Sequence, residues 1–221
     1  MKEIIFFIVF FFLISCKEVA REPLGNNFYF VKPQPSNDSE LLKFPTGFRG
    51  LFMDSDSLYL EINENTILQK YINRFRIHFS ELDSIKSEFK ITGDKFVSKS
   101  NNELYYRKDV GDSIQFSNTQ IDTFFVFSDD QKAKRINGHL ILNTKDSIYW
   151  GIKILNLEKD VLRLKYVYSD EDLKKMDSVT KIKSQKIDSS SYILRPTRRE
   201  FKKILKLENL GEERQFKKVS K

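Results

Sequence analysis

Ile148-Tyr149-Trp150-Gly151-Ile152-Lys153-Ile154 alternates large apolar residues with smaller or polar ones without a break. A period of two places Ile148, Trp150, Ile152 and Ile154 on one face and Tyr149, Gly151 and Lys153 on the other, the pattern of a half-buried strand. The same pattern recurs outward in both directions. Leu162, Leu164, Tyr166 and Tyr168 alternate with Arg163 and Lys165, and Tyr71, Phe75, Ile77 and Phe79 alternate with Arg74, Arg76 and His78. Leu58, Leu60 and Ile62 stand against Ser57, Tyr59 and Glu61. Shorter candidates cover 87–92, 95–98, 103–107, 112–116, 120–127, 137–143 and 190–195, split by turn residues such as Gly93-Asp94, Asn101-Asn102, Gly111-Asp112 and Asp129-Asp130.

Clean alternation with short turns predicts a mainly β fold, an antiparallel sheet with one buried face. Roughly ten strands or more curl or split into two layers. The expected architecture is therefore an antiparallel β-barrel, lipocalin-like, or a β-sandwich, with one or two short C-terminal helices. In the barrel, Phe, Tyr and Trp150 would line a cavity; in either fold they can simply fill the core. Residues 169–179 open with Ser169 and the acidic turn Asp170-Glu171-Asp172, a helix start. Thr197-Arg198-Arg199-Glu200 reads as a capping box after Pro196. It starts a helix with Phe201, Ile204 and Leu205 on one face that stops before Gly211, and a last strand is expected around 214–219. Asp-Ser pairs at 56–57, 83–84, 112–113 and 146–147 precede several strands and suggest a repeated hairpin start, at gaps too uneven for a solenoid.

The chain begins Met1-Lys2-Glu3, runs apolar from Ile4 to Ile14 and continues Ser15-Cys16-Lys17. A short basic start, an apolar run of roughly 7–15 residues and a small residue before the cut describe a secretory signal peptide, and the run is below the roughly 20 residues a membrane span needs. Leu13-Ile14-Ser15-Cys16 resembles the lipobox of bacterial lipoproteins. The resemblance covers this segment alone. It implies cleavage before Cys16, a diacylglycerol thioether on its sulfur, and stable anchoring by two or three acyl chains. Cys16 is the only cysteine, so lipidation would account for the single thiol of an exported chain. Lys17 is not the aspartate that, in the enterobacterial pattern, retains lipoproteins at the inner membrane. Lys17-Glu18 also resembles the surface-export signal of Bacteroidota lipoproteins. The implied address is the cell envelope, at the outer membrane, on its periplasmic face or the cell surface.

Four of the five prolines, Pro23, Pro33, Pro35 and Pro45, fall early in the chain among Gly25, Asn26, Asn27, Ser36 and Asn37. Proline keeps such a stretch extended. The expected organisation is a signal peptide over 1–15, the lipidated Cys16 and a proline-rich tether over 16–47, and a single β domain over 48–221. Phe28-Tyr29-Phe30-Val31 is expected to dock on the domain as a short edge strand.

The inventory of catalytic residues is small. His78 and His139 are the only histidines, and neither lies in a metal-binding spacing; each is expected as a surface or sheet histidine. HExxH, GxSxG, P-loop and GxGxxG motifs do not occur. The acids Asp129/Asp130 and Asp170/Glu171/Asp172 could serve glycoside hydrolysis, which needs two carboxylates across a sugar, but they read better as turn and cap residues. The expectation is a non-enzymatic binding or structural module with no catalytic residues, metal or cofactor; an envelope-polymer hydrolase is the alternative. Charge supplies the one candidate contact. Residues 195–221 hold ten basic residues against four acids, a surplus of +6 within a chain of net +7. Arg198, Arg199, Lys202, Lys203 and Lys206 are the candidate contact to an anionic surface: anionic lipid headgroups, lipopolysaccharide phosphates or acidic polysaccharide; an envelope protein is the other expected partner of the module. Nucleic acid is set aside for an exported chain, as a partner it would not meet.

Overall fold

The computed structural model describes residues 24–219. The apolar run, the lipobox with Cys16, and the first part of the expected tether lie outside these residues. In chain order the strands are β1 (Asn27–Phe30), β2 (Gly50–Met53), β3 (Tyr59–Ile62), β4 (Thr66–His78), β5 (Phe89–Thr92), β6 (Lys95–Ser98), β7 (Leu104–Val110), β8 (Ser113–Val126), β9 (Gln131–Ile136), β10 (His139–Asp146), β11 (Tyr149–Glu158), β12 (Val161–Tyr166), β13 (Gln185–Lys186), β14 (Ser191–Leu194) and β15 (Glu212–Lys218). The helices are short: α1 (Leu82–Lys86), α2 (Asp170–Val179) and α3 (Arg198–Ile204). The fold is mainly β, and its large mixed sheet is not closed. Among the described residues, no helix is long and apolar enough to cross a membrane.

Residues 48–221, expected as one domain, contribute to two compact units. The smaller holds residues 71–120; the larger holds, of the described residues, 24–70 and 121–219. The smaller unit has its own core. Strands β5, β6, β7 and β8 pair antiparallel in that order. Phe96, Ile114 and Phe116 are buried on one face, packed against Phe75, Ile77 and Phe89 and capped by Leu82 and Ile85 of α1. The Phe75 and Phe116 rings stack at 5.1 Å, and Phe96 meets Phe116 edge-on at 4.9 Å, the offset and T-shaped geometries that ring quadrupoles favour.

In the larger unit the decisive strand β11 pairs along one edge with β10, from Leu140↔Leu155 to Asp146↔Tyr149. Its other edge meets β1 at Phe30↔Trp150 and then β12 at residues 154–158. β12 continues to β15, and β15 to β2 and β3. The expectation of a single buried face holds in the smaller unit but not here. Leu140, Ile141, Leu142 and Asn143 of β10 are all buried, as are Ile154 and Leu155 of β11. Such strands are apolar on consecutive positions, the mark of a sheet covered on both sides. One face carries Phe28, Phe30, Ile141, Trp150 and Ile154, and α2 and α3 lie over it through Met176, Phe201 and Ile204. Trp150, Phe30, Phe44 and Phe201 fill the core here: Phe30 meets Phe201 edge-on at 6.2 Å, and Phe44 packs on Phe127 at 4.7 Å. Ile148, placed inward by alternation, is 69% exposed, because Ser147 before it takes φ 57° and the chain turns there.

Three further expectations change. β1 is not an edge strand: it lies between β11 and β14, pairing parallel with β14 from Asn27↔Ser191 to Phe30↔Leu194. The described part of the expected tether is fastened down. Asn143 accepts from the Gln34 N–H at 2.6 Å and donates to the Gln34 carbonyl at 2.8 Å, while Lys134 Nζ donates to the Pro33 and Pro35 carbonyls at 3.2 and 3.1 Å. The Leu41 N–H donates to the Ala133 carbonyl at 2.8 Å, and Phe44 is fully buried. This proline-rich segment thereby covers β9, which otherwise pairs only with β10; proline has no N–H to offer a further strand. The Asp-Ser pairs share no single turn: Ser57 and Ser147 are left-handed at φ 62° and 57°, Ser113 begins β8, and Asp83-Ser84 lies in α1.

Candidate functional site

The two C-terminal helices begin where their caps predict. Ser169 accepts from the Asp172 N–H while Asp172 accepts from the Ser169 N–H, and Thr197 and Glu200 exchange the same pair of bonds. Once α3 is started, its periodicity sorts its side chains. Glu200, Phe201 and Ile204 are buried. At 3.6 residues per turn, Arg198, Arg199, Lys202, Lys203 and Lys206 fall on the opposite arc.

These five are not equivalent. Arg198 forms a two-pronged bond with Asp38, one arm at 2.8 Å, so its charge is spent on the segment that covers β9. Arg199, Lys202, Lys203 and Lys206 have no acidic partner among the described residues. Of the other basic residues in the C-terminal surplus, Arg214 pairs with Asp54 and Asp56, and Lys218 with Asp160. Arg195, which bonds Gln185, and Lys217 likewise have no acidic partner among the described residues, so four of the six uncompensated cations described there lie on α3 and the turn that follows it. No sequence signal marks the Arg198–Asp38 pair, whose members are 160 residues apart.

Arg199 and Lys203 also border an open cleft of about 520 Å3 between the end of α2 and the start of α3. The carboxylate of Glu200 lies there but is used internally. It accepts from the Lys181 N–H at 2.7 Å and from the Thr197 N–H and hydroxyl, each at 2.8 Å. Those backbone donors, Thr197 first, hold its pKa below the ordinary carboxylate range. The site can therefore offer cations to an approaching anion, while its one acid faces inward, 7% exposed.

Of the other candidates, all but Asp129 and Cys16 have structural partners among the described residues. His78 caps a 3-10 turn through Ser80 and stands 3.9 Å from Asp112; His139 bonds the Asn137 carbonyl at 3.1 Å. Asp130 sits in the β8–β9 turn near Lys145, 3.6 Å away. Asp170 accepts from Asn26 at 2.7 Å, Glu171 faces Lys175 at 3.9 Å, and Asp172 is buried against backbone N–H groups. A second cleft, about 310 Å3, opens where β1 parts from β12 and is bordered by Tyr29, Asp146, Lys153 and Tyr168. There the Tyr29 hydroxyl donates to Asp146 at 2.6 Å, and that bond, with burial, pushes its pKa up to about 12; it remains a proton donor at neutral pH. Cys16 lies outside the described residues. Compared with protein-family models, with curated proteins and with solved structures, the chain matches none.

Proposed function

We propose that this chain is a lipid-anchored cell-envelope protein that acts by binding and carries no catalytic centre. Cys16 would hold it at the outer membrane, and α3 would meet anionic headgroups beside the anchor. The observation that carries the contact is the arc Arg199, Lys202, Lys203 and, in the turn after the helix, Lys206, without an acidic partner among the described residues and opposite the buried face of α3. Each such residue near an anionic surface contributes on the order of 1 kcal/mol. A membrane anchor raises the local concentration of headgroups, so a contact too weak for a free protein becomes useful.

The test uses residues 17–221, which lack the acylation site. This chain should sediment with vesicles of anionic phospholipid at low salt and not with neutral ones. Reversal of Lys202, Lys203 and Lys206 to Glu should lower the partition by about a hundredfold or more, at roughly 1 kcal/mol for each lysine. Equal binding by the triple variant would show α3 to be a solvated helix face and would remove this reading.

A further inference from the structure

The smaller unit presents a second face. Its inward residues form the aromatic core, so the alternate residues of β4 to β8 face outward. They include Arg74 and Arg76 on β4, Lys90 on β5, Lys95 on β6, and Tyr106 and Lys108 on β7. The registers set them in rows. Thr92, Lys95, Tyr106 and Ser117 lie side by side, as do Lys108 and Gln115, and Arg76 reaches Gln115 at 3.3 Å. Arg74, Arg76, Lys90, Lys95 and Lys108 are exposed, and within residues 71–120 no acid occupies an outward position of these strands. The unit as a whole is nearly balanced, with eight basic residues against seven acids over 71–120. The outward cations are thus a sorting of charge by face and not a consequence of lysine-rich composition.

From this geometry we infer that the outward face of the smaller unit binds an acidic polysaccharide, a chain of sugar rings bearing carboxylates. Strands lie about 4.8 Å apart and outward residues recur about every 7 Å along each, so the five cations spread over an extended strip suited to a linear polyanion. Arginine and lysine pair with carboxylates. Tyr106, 48% exposed at the centre of its row, offers a ring face for the apolar face of a sugar. Thr92, Ser113, Gln115 and Ser117 supply hydroxyl and amide groups level with the charges, where ring hydroxyls would lie. A bilayer would call instead for protruding apolar side chains; Ile72 and Leu104 are each only 37% exposed and lie within the strip.

The probe is polygalacturonate, immobilised, with the full chain in a neutral detergent. The expected result is retention on polygalacturonate, none on dextran, and elution at lower salt from immobilised poly-L-glutamate. Lys95→Glu with Lys108→Glu should weaken polygalacturonate binding by about tenfold or more. Tyr106→Ala should weaken it while leaving poly-L-glutamate elution unchanged, which a charge-only contact would not show. Circular dichroism of each variant establishes that it is folded, and Arg76→Gln provides a milder charge loss if the double reversal is not. Reversal of the three α3 lysines should leave retention intact, so this face and the α3 contact fail separately. Equal elution from both polyanions, indifference to Tyr106→Ala, or preferential retention on immobilised anionic phospholipid lost in the double reversal would overturn the proposal.

Discussion

At the scale of single residues, Asp172 ties one helix start to a distant turn. It is 3% exposed, closes the capping box of α2, and reaches across to the turn that starts β15. Its carboxylate accepts from the N–H groups of Gly211 at 2.6 Å, Ser169 at 3.0 Å and Tyr168 at 3.2 Å. Burial alone would raise its pKa, but the donors, led by Gly211, hold it below the ordinary carboxylate range. Gly211 is required where it stands: φ is +70°, and a Cβ there would sit 2.2 Å from the Tyr166 carbonyl oxygen. Asp172→Asn puts an NH2 where an oxygen receives N–H donors. Hydrogen bonds to a charged group contribute about 1.5–3 kcal/mol, so the variant should lose about 2–3 kcal/mol at pH 7 in urea unfolding. The sign with pH follows from the lowered pKa. The contribution is complete above the unfolded value, about 3.9, and disappears as pH falls through the lower folded value. The difference between wild type and variant should therefore narrow below about pH 4; a difference constant from pH 7 to pH 3 would mean that the charge is not what matters.

At the scale of elements, strands and helix starts are legible in the sequence because each has a local cause. Alternation finds β11, β12 and the β4 core, and the caps find the starts of α2 and α3 to within a residue, although α3 ends at Ile204, well short of Gly211. What is not legible is decided by distant partners. Asn143 reads as a polar break in an apolar strand, and nothing near it announces that it will hold Gln34, 109 residues away. Prolines at 33 and 35 read as a tether because proline disfavours both regular structures; here they cover a sheet edge for the same reason. β9 gives no periodic signal, since Ala133 and Lys134 are buried in succession. The basic arc of α3 is legible from spacing, but its sorting into one paired and four unpaired cations is not. The C-terminal element pair also carries a prediction. Phe201, Ile204, Leu210 and Phe216 are almost fully buried, and β15 fills the place between β12 and β2. Burial of such side chains contributes about 1.5–3 kcal/mol each, so their combined loss rivals the total stability of about 5–15 kcal/mol. A chain ending at residue 194 should lose its cooperative thermal transition by circular dichroism and aggregate through the bared edges. A monomeric truncation that melts like the full chain would show that α3 and β15 are appendages.

At the scale of the whole molecule, two kinds of attachment with opposite salt dependence are proposed for one chain. Acyl chains on Cys16 act by burying methylenes, about 0.8 kcal/mol each, and are indifferent to screening. The α3 cations act through charge, whose reach falls from about 10 Å at 0.1 M salt to about 3 Å at 1 M. The two can therefore be separated without altering the fold. Expressed in a bacterium and labelled with a palmitate analogue, the wild type should carry label and Cys16→Ser should not. Washed with 1 M salt, membranes should retain the wild type. Residues 17–221, added to the same membranes, should bind at low salt and leave at 1 M. Equal labelling of wild type and Cys16→Ser would end the lipoprotein reading, because Cys16 is the only thiol in the chain on which a diacylglycerol thioether can form. Release of the wild type by salt would end it independently, since acyl anchoring of two or more chains does not respond to screening. Retention of both the wild type and residues 17–221 at 1 M would place the dominant contact on neither the anchor nor α3 but on apolar surface of the domain itself. Exposed residues such as Ile121 and Ile148, 56% and 69% exposed, would then be the first to replace with polar ones.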